Sequence, residues 1–156
     1  MKTIIAALLL IGSGAFAQQT NQINWLTWDE MVEQRSKDSI KKKIFVDFYT
    51  GWCGWCKKMD ASTFIDPNVV SYMNQKFYAV KFDAETRDTI VFNGHTFTNM
   101  DPSLIKKSPN ARGRTHWFAQ SLLEGQLSYP SYAMLDENFT RLMVWKGYKQ
   151  QDALIG

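Results

Sequence analysis

The stretch Ile44-Phe45-Val46-Asp47-Phe48-Tyr49-Thr50-Gly51-Trp52-Cys53-Gly54-Trp55-Cys56-Lys57 decides how this 156-residue chain is read. Its first six residues are almost continuously apolar, which suits a central β-strand covered on both faces. The run that follows holds both cysteines of the chain, separated by two residues. A strand that ends in a short turn and opens a helix at Cys53 places that sulfur among backbone N–H groups without partners, where the helix dipole favours a thiolate. Cys53 is therefore the expected nucleophile, and the pattern points to redox chemistry. The alternative for a lone Cys-x-x-Cys is half of a zinc site. Its completion would need His95 and His116, which are too far apart for finger spacing, and nothing in the sequence makes them converge.

With 45% hydrophobic and 14% aromatic residues, the chain can fill one core and leaves little for a second. Residues 1–17 read as a secretory signal: Lys2 is a minimal positive region, Ile4 to Ile11 an apolar run, and Ala15-Phe16-Ala17 a small-x-small site with cleavage after Ala17. An uncleaved anchor is the alternative, but the apolar run is shorter than the roughly 20 residues a bilayer requires. Residues 18–24 are then expected to be a mobile N-terminal stretch, and 25–156 the folded domain. Loss of Lys2 with the signal takes the formal charge from +3 to +2, too small an excess to imply an acidic partner. Lys41-Lys42-Lys43 and Arg112-Gly113-Arg114 read as solvated loop charge, so no nucleic-acid partner is expected. Two cysteines spaced this way do not make a disulfide-stapled scaffold, and the pair reads as catalytic.

Along the chain, Thr27 and Glu30 form a capping box for a helix whose inner face carries Trp28, Met31 and Val32, ending near Ser39. Asp66-Pro67 predicts another helix start, with Val69, Val70 and Met73 inward. Phe77 to Asp83 reads as a strand. Thr89 to Phe92, Asn93-Gly94 and His95 to Phe97 have the signature of a tight hairpin within an otherwise loop-like interval. Thr115 is the expected cap of a helix carrying Trp117, Phe118, Leu122 and Leu123, stopped by Gly125. Ser131 to Leu135 and Arg141 to Trp145 close the sheet through a turn at Asp136-Glu137-Asn138. Mixed α/β architecture follows, a mixed sheet between helical layers.

Several of these segments together resemble the thioredoxin superfamily. Val46-Asp47-Phe48, Trp52-Cys53-Gly54-Trp55-Cys56-Lys57, Val80-Lys81-Phe82-Asp83, Tyr129-Pro130-Ser131 and Gly147 appear in that family's order, over about residues 25–156, with 84–114 as an insertion. The opening Trp-containing helix is most similar to exported thioredoxin-like proteins and to the C-terminal periplasmic domain of bacterial membrane thiol reductases. The resemblance implies a thioredoxin fold and an exported thiol:disulfide oxidoreductase, periplasmic or secreted. Disulfide-bearing exported proteins would be its substrates and a membrane electron donor its partner, with no cofactor and no metal.

On that reading Cys53 attacks a substrate disulfide and Cys56, one helical turn further in and less exposed, resolves the mixed disulfide. Asp47 is implied to be the buried carboxylate under the pair, a general base for the Cys56 proton, and Lys81 its ionic partner. The bland alternative leaves Asp47 on a solvent-facing strand. Pro130 matches a cis-proline beside the cysteines. It would remove a donor and leave neighbouring backbone groups, Tyr129 among them, to bind an extended substrate. Trp52 and Trp55 supply an apolar substrate rim or, alternatively, core packing. Trp55 stands where the family commonly has proline or histidine, so the direction of electron flow stays open. A disulfide-donating oxidase and a non-catalytic binding module remain the rival readings.

Overall fold

A computed structural model describes residues 21–99 and 115–155. The expected signal segment and the 100–114 part of the insertion lie outside the described residues. The elements are β1 (Trp25–Leu26), α1 (Trp28–Lys37), β2 (Lys43–Tyr49), α2 (Gly54–Asp60), a 3₁₀ turn (Thr63–Ile65), α3 (Pro67–Lys76), β3 (Phe77–Asp83), β4 (Ile90–Phe92), β5 (His95–Phe97), α4 (Trp117–Leu122), β6 (Ser131–Leu135), β7 (Arg141–Lys146) and α5 (Gln151–Ile155).

Five strands form one mixed sheet in the order β1-β3-β2-β6-β7, with β1, β3 and β2 parallel and β6 and β7 antiparallel to their neighbours. Strand β2 is central and five of its seven residues are buried, as an apolar run covered on both faces requires. Alternation along β2 separates two cores. Ile44, Val46 and Phe48 face Trp28 and Met31 of α1 and Phe118, Ala119 and Leu122 of α4. Phe45 faces Met59 of α2, Phe64 of the 3₁₀ turn, and Val69, Val70 and Met73 of α3. This is the helix-covered mixed sheet that the resemblance implies.

The capping box forms as expected: Thr27 Oγ1 accepts from the Glu30 N–H at 3.2 Å, and Glu30 Oε2 accepts from the Thr27 N–H at 2.8 Å. Asp66 Oδ1 likewise caps α3, accepting from Asn68 N at 2.9 Å and Val69 N at 3.2 Å. The Asn93-Gly94 turn joins β4 to β5 with both residues at positive φ, 49° and 75°, the geometry of a primed two-residue turn.

Four expectations need correction. Val32 is 41% exposed, because α1 turns only Trp28 and Met31 into the core. The cap of α4 is His116, whose Nδ1 accepts from the Phe118 N–H at 3.1 Å, and not Thr115. Strand β1 was not foreseen, being only two residues long. Within the stretch expected to be mobile, residues 22–24 are anchored: Ile23 is buried, and Asn74 exchanges hydrogen bonds with the Asn24 N–H (2.8 Å) and the Gln22 carbonyl (3.0 Å).

Candidate active site

Cys53 sits at the N-cap of α2, at the end of the turn that leaves β2, and its N–H bonds the Thr50 carbonyl at 3.1 Å. The cysteines form a disulfide, with Cα atoms 5.3 Å apart, and Cys53 Sγ accepts from the Cys56 N–H at 3.1 Å. That hydrogen bond is one that would stabilise negative charge on Cys53 once the bridge opens. Both cysteines are only 3% exposed, so Cys53 is no more accessible than Cys56 in this oxidised state, contrary to the exposure gradient expected from the sequence.

Below them, strand register assembles a polar row inside an apolar core. Asp47 of β2 lies opposite Lys81 of β3 and Tyr132 of β6, so the three side chains share the face on which α2 packs. Asp47 is buried, 1% exposed, which rules out the solvent-facing alternative. Its Oδ2 pairs with Lys81 Nζ at 2.8 Å, while Oδ1 is buried with no hydrogen-bond partner. Burial disfavours the carboxylate more than Lys81 favours it, and the Asp47 pKa is pushed up to about 6.

Lys81 also pairs with Asp60 at the end of α2. Its ammonium lies 4.9 Å from the Trp25 ring centroid and 5.3 Å from those of Tyr49 and Phe64. Burial works against the Lys81 charge, yet Asp47 and Asp60 together hold its pKa above the ordinary value. Beside Lys81, a cavity of about 340 Å³ lined by Trp25, Asp60, Phe64 and Ile65 opens toward the surface. Tyr132 Oη is buried without a partner, and its pKa is raised first by burial and then by the charges of Asp47 and Asp60.

The rim is aromatic. Trp52 and Trp55 are 47% and 57% exposed, so neither is core packing. Trp52 meets Tyr129 edge-on at 6.0 Å and Trp55 lies 5.9 Å from Tyr148. The Tyr129–Pro130 peptide bond is cis, as the resemblance implies. The Pro130 carbonyl accepts from the Gly147 N–H at 2.8 Å, which ties the residue after the cis bond to the end of β7.

Residues 13–100, more than half of the chain, match the family Thioredox_DsbH, described as a protein of unknown function, DUF255. The chain belongs to the Thioredox_DsbH family. A curated relative, an uncharacterized protein of Caenorhabditis elegans, is 31% identical over 70 residues, which cover 45% of this chain and 10% of that protein. The matched region thus spans about a tenth of the relative's length. Among solved structures, a DsbH oxidoreductase superposes with a TM-score of 0.51 at 17% identity, covering 87% of each chain. A thioredoxin-fold protein from Helicobacter pylori gives 0.50 at 11%, covering 86% of this chain and 72% of the other. This Thioredox_DsbH chain therefore carries a thioredoxin-like fold with its Cys53–Cys56 bridge at the start of α2.

The Thioredox_DsbH site contains groups that sequence reading missed. Asp60 gave a signal, an acid four residues after Cys56 on the same helix, but its convergence on Lys81 depends on packing between α2 and β3. Tyr132 read only as an apolar strand residue. Tyr148 and Glu85 reach the rim from distant segments and left no local pattern. Among the described residues, no group of three or more His, Cys, Asp or Glu is arranged to hold a metal ion. His116 is fully engaged elsewhere, with Nε2 2.9 Å from the Asp88 carbonyl oxygen.

Proposed function

We propose that this protein is an exported thiol:disulfide oxidoreductase that reduces or exchanges disulfides in exported proteins. In its reduced form the Cys53 thiolate attacks one sulfur of a substrate disulfide, forming a mixed disulfide and releasing one substrate thiolate. Cys56 then loses its proton and attacks Cys53 Sγ. The Cys53–Cys56 bond forms, the second substrate thiolate leaves, and two electrons have passed to the substrate. Asp47 is the acceptor for the Cys56 proton, with Oδ1 as the receiving atom and Lys81 holding Oδ2. Trp52, Trp55, Tyr129 and Pro130 form the surface on which the substrate segment lies. The oxidised protein must be recharged by a dithiol, and a membrane electron donor in the periplasm fits that need. Cleavage after Ala17 would place the domain there.

The observation that carries this reading is the coincidence of the Cys53–Cys56 bridge with a buried carboxylate whose second oxygen has no partner. Binding alone would need neither. In an insulin-reduction assay with a dithiol as electron source, the wild-type protein is expected to turn over and Cys53→Ser to be inactive. Absence of turnover in the wild type overturns the reading. A Cys53–Cys56 potential near about −270 mV supports a reductase, whereas one near about −120 mV reassigns the protein as a disulfide donor.

A further inference from the structure

Trp52, which precedes Cys53, and Trp55, which precedes Cys56, each belong to an aromatic pair that carries a charge, and the two charges are of opposite sign. On one side, the Trp52 indole N–H donates to Glu85 Oε1 at 2.9 Å. Glu85 is held from several directions. Its N–H bonds Asp83 Oδ1 at 2.9 Å, its carbonyl accepts from Asn99 Nδ2 at 3.0 Å, and the same amide bonds the Thr86 carbonyl at 2.7 Å. The preceding Ala84 is tied to the Tyr49 carbonyl and to the His116 N–H, both at 2.8 Å. The first residues after β3 are thus fixed against the end of β2, beside the tryptophan that precedes Cys53. Burial raises the Tyr129 pKa, Thr115 lowers it, and the charges of Glu85 and Asp83 raise it, so both carboxylates act on this corner of the rim.

On the other side, Lys58 Nζ lies 4.8 Å from the Trp55 ring centroid and 5.0 Å from that of Tyr148. The cation rests on both rings while Lys57 and Lys58 remain exposed on α2. We propose that this rim reads the charge order of its partner. The preferred occupant is an extended, disulfide-bearing segment with a cationic side chain toward Glu85 and Asp83 and a carboxylate toward Lys58. This inference rests on the oxidoreductase reading above and gives the start of the insertion, residues 84–86, a role in selecting substrates. Exposed charge pairs are individually weak, but the reversed order turns two attractions into two repulsions, so discrimination of about three- to tenfold is expected.

The test uses three pentapeptides with a central cysteine in disulfide linkage to a coloured aromatic thiol: lysine first and glutamate last, the reverse, and an uncharged one with alanines. Reduced protein attacks the disulfide and the coloured thiolate is released. The two charged peptides are expected to differ by that factor at low salt, with the difference shrinking as salt rises. The double exchange of Glu85→Lys with Lys58→Glu is expected to invert the preference, and Glu85→Gln or Lys58→Gln alone to reduce it. Equal rates for the charged peptides, with the uncharged one still reduced, overturn this inference and leave the oxidoreductase reading standing. A preference indifferent to all these substitutions does the same. Failure to reduce any of the three overturns both.

Discussion

At the scale of single residues, burial of Asp47, the proposed proton acceptor, has a cost in stability. Its pKa is about 6 in the folded protein and 3.8 as a free side chain, so between those values the folded chain holds the proton more tightly than the unfolded one. Stability linked to this group is complete below about pH 4 and is lost as pH rises through about 6, by on the order of 2–3 kcal/mol. Asp47→Asn removes that loss. Urea unfolding is expected to show the variant more stable than wild type near pH 7.5, about 2 kcal/mol by this reasoning, with the gap closing toward pH 4. Lys81 keeps Asp60 as its ionic partner in the variant. Insulin reduction near neutral pH should fall on the order of 10²-fold in the same variant, because Cys56 loses its acceptor. A variant both destabilised at neutral pH and fully active would contradict the role given to Asp47.

At the scale of elements, local signals placed most of the structure. The capping box of α1, the Asp66-Pro67 start of α3, the strand Phe77–Asp83 and the Asn93-Gly94 hairpin all follow from side chains acting on their own backbone. Elements set by distant partners were less legible. Strand β1 exists because Trp25 and Leu26 find Ala79 and Val80 of β3. His116 takes the cap of α4 because its ring is held between the Phe118 N–H and the Asp88 carbonyl, whereas Thr115 offered only the usual composition. Gly94 supplies a direct test of the hairpin. At φ +75° a Cβ meets no neighbouring atom within 4 Å, so Gly94→Ala should cost only the backbone penalty, about 1 kcal/mol. Hydrogen exchange in β4 and β5 should quicken while β2 and β3 keep their protection.

For the whole molecule, the sheet separates the two cores among the described residues, and the Phe118 ring ties several elements together on one side of it. Its ring lies within 6.2 Å of Trp28, Phe48, Phe82, Phe92 and Phe97, linking α1, the central strands and the hairpin. Phe118→Ala should therefore cost about 3–5 kcal/mol, with near-UV and far-UV circular dichroism lost in one transition. The Cys53–Cys56 pair was legible from local spacing and Asp47 as an acid within an apolar strand, whereas Lys81, Tyr129 and Pro130 entered through the family resemblance, and Trp52 and Trp55 stood between a substrate rim and core packing. Asp60, Tyr132, Glu85 and Tyr148 were not legible, since tertiary packing alone brings them in. The bond from the Gly147 N–H to the Pro130 carbonyl also has a kinetic consequence. Proline offers no hydrogen on its nitrogen, and its oxygen keeps one lone pair beside the bond it already accepts, so a visiting chain finds at most a single hydrogen bond at that residue. In the proposed oxidoreductase, grip then comes mainly from side chains and a few peptide groups nearby, which favours short residence and rapid release of the substrate.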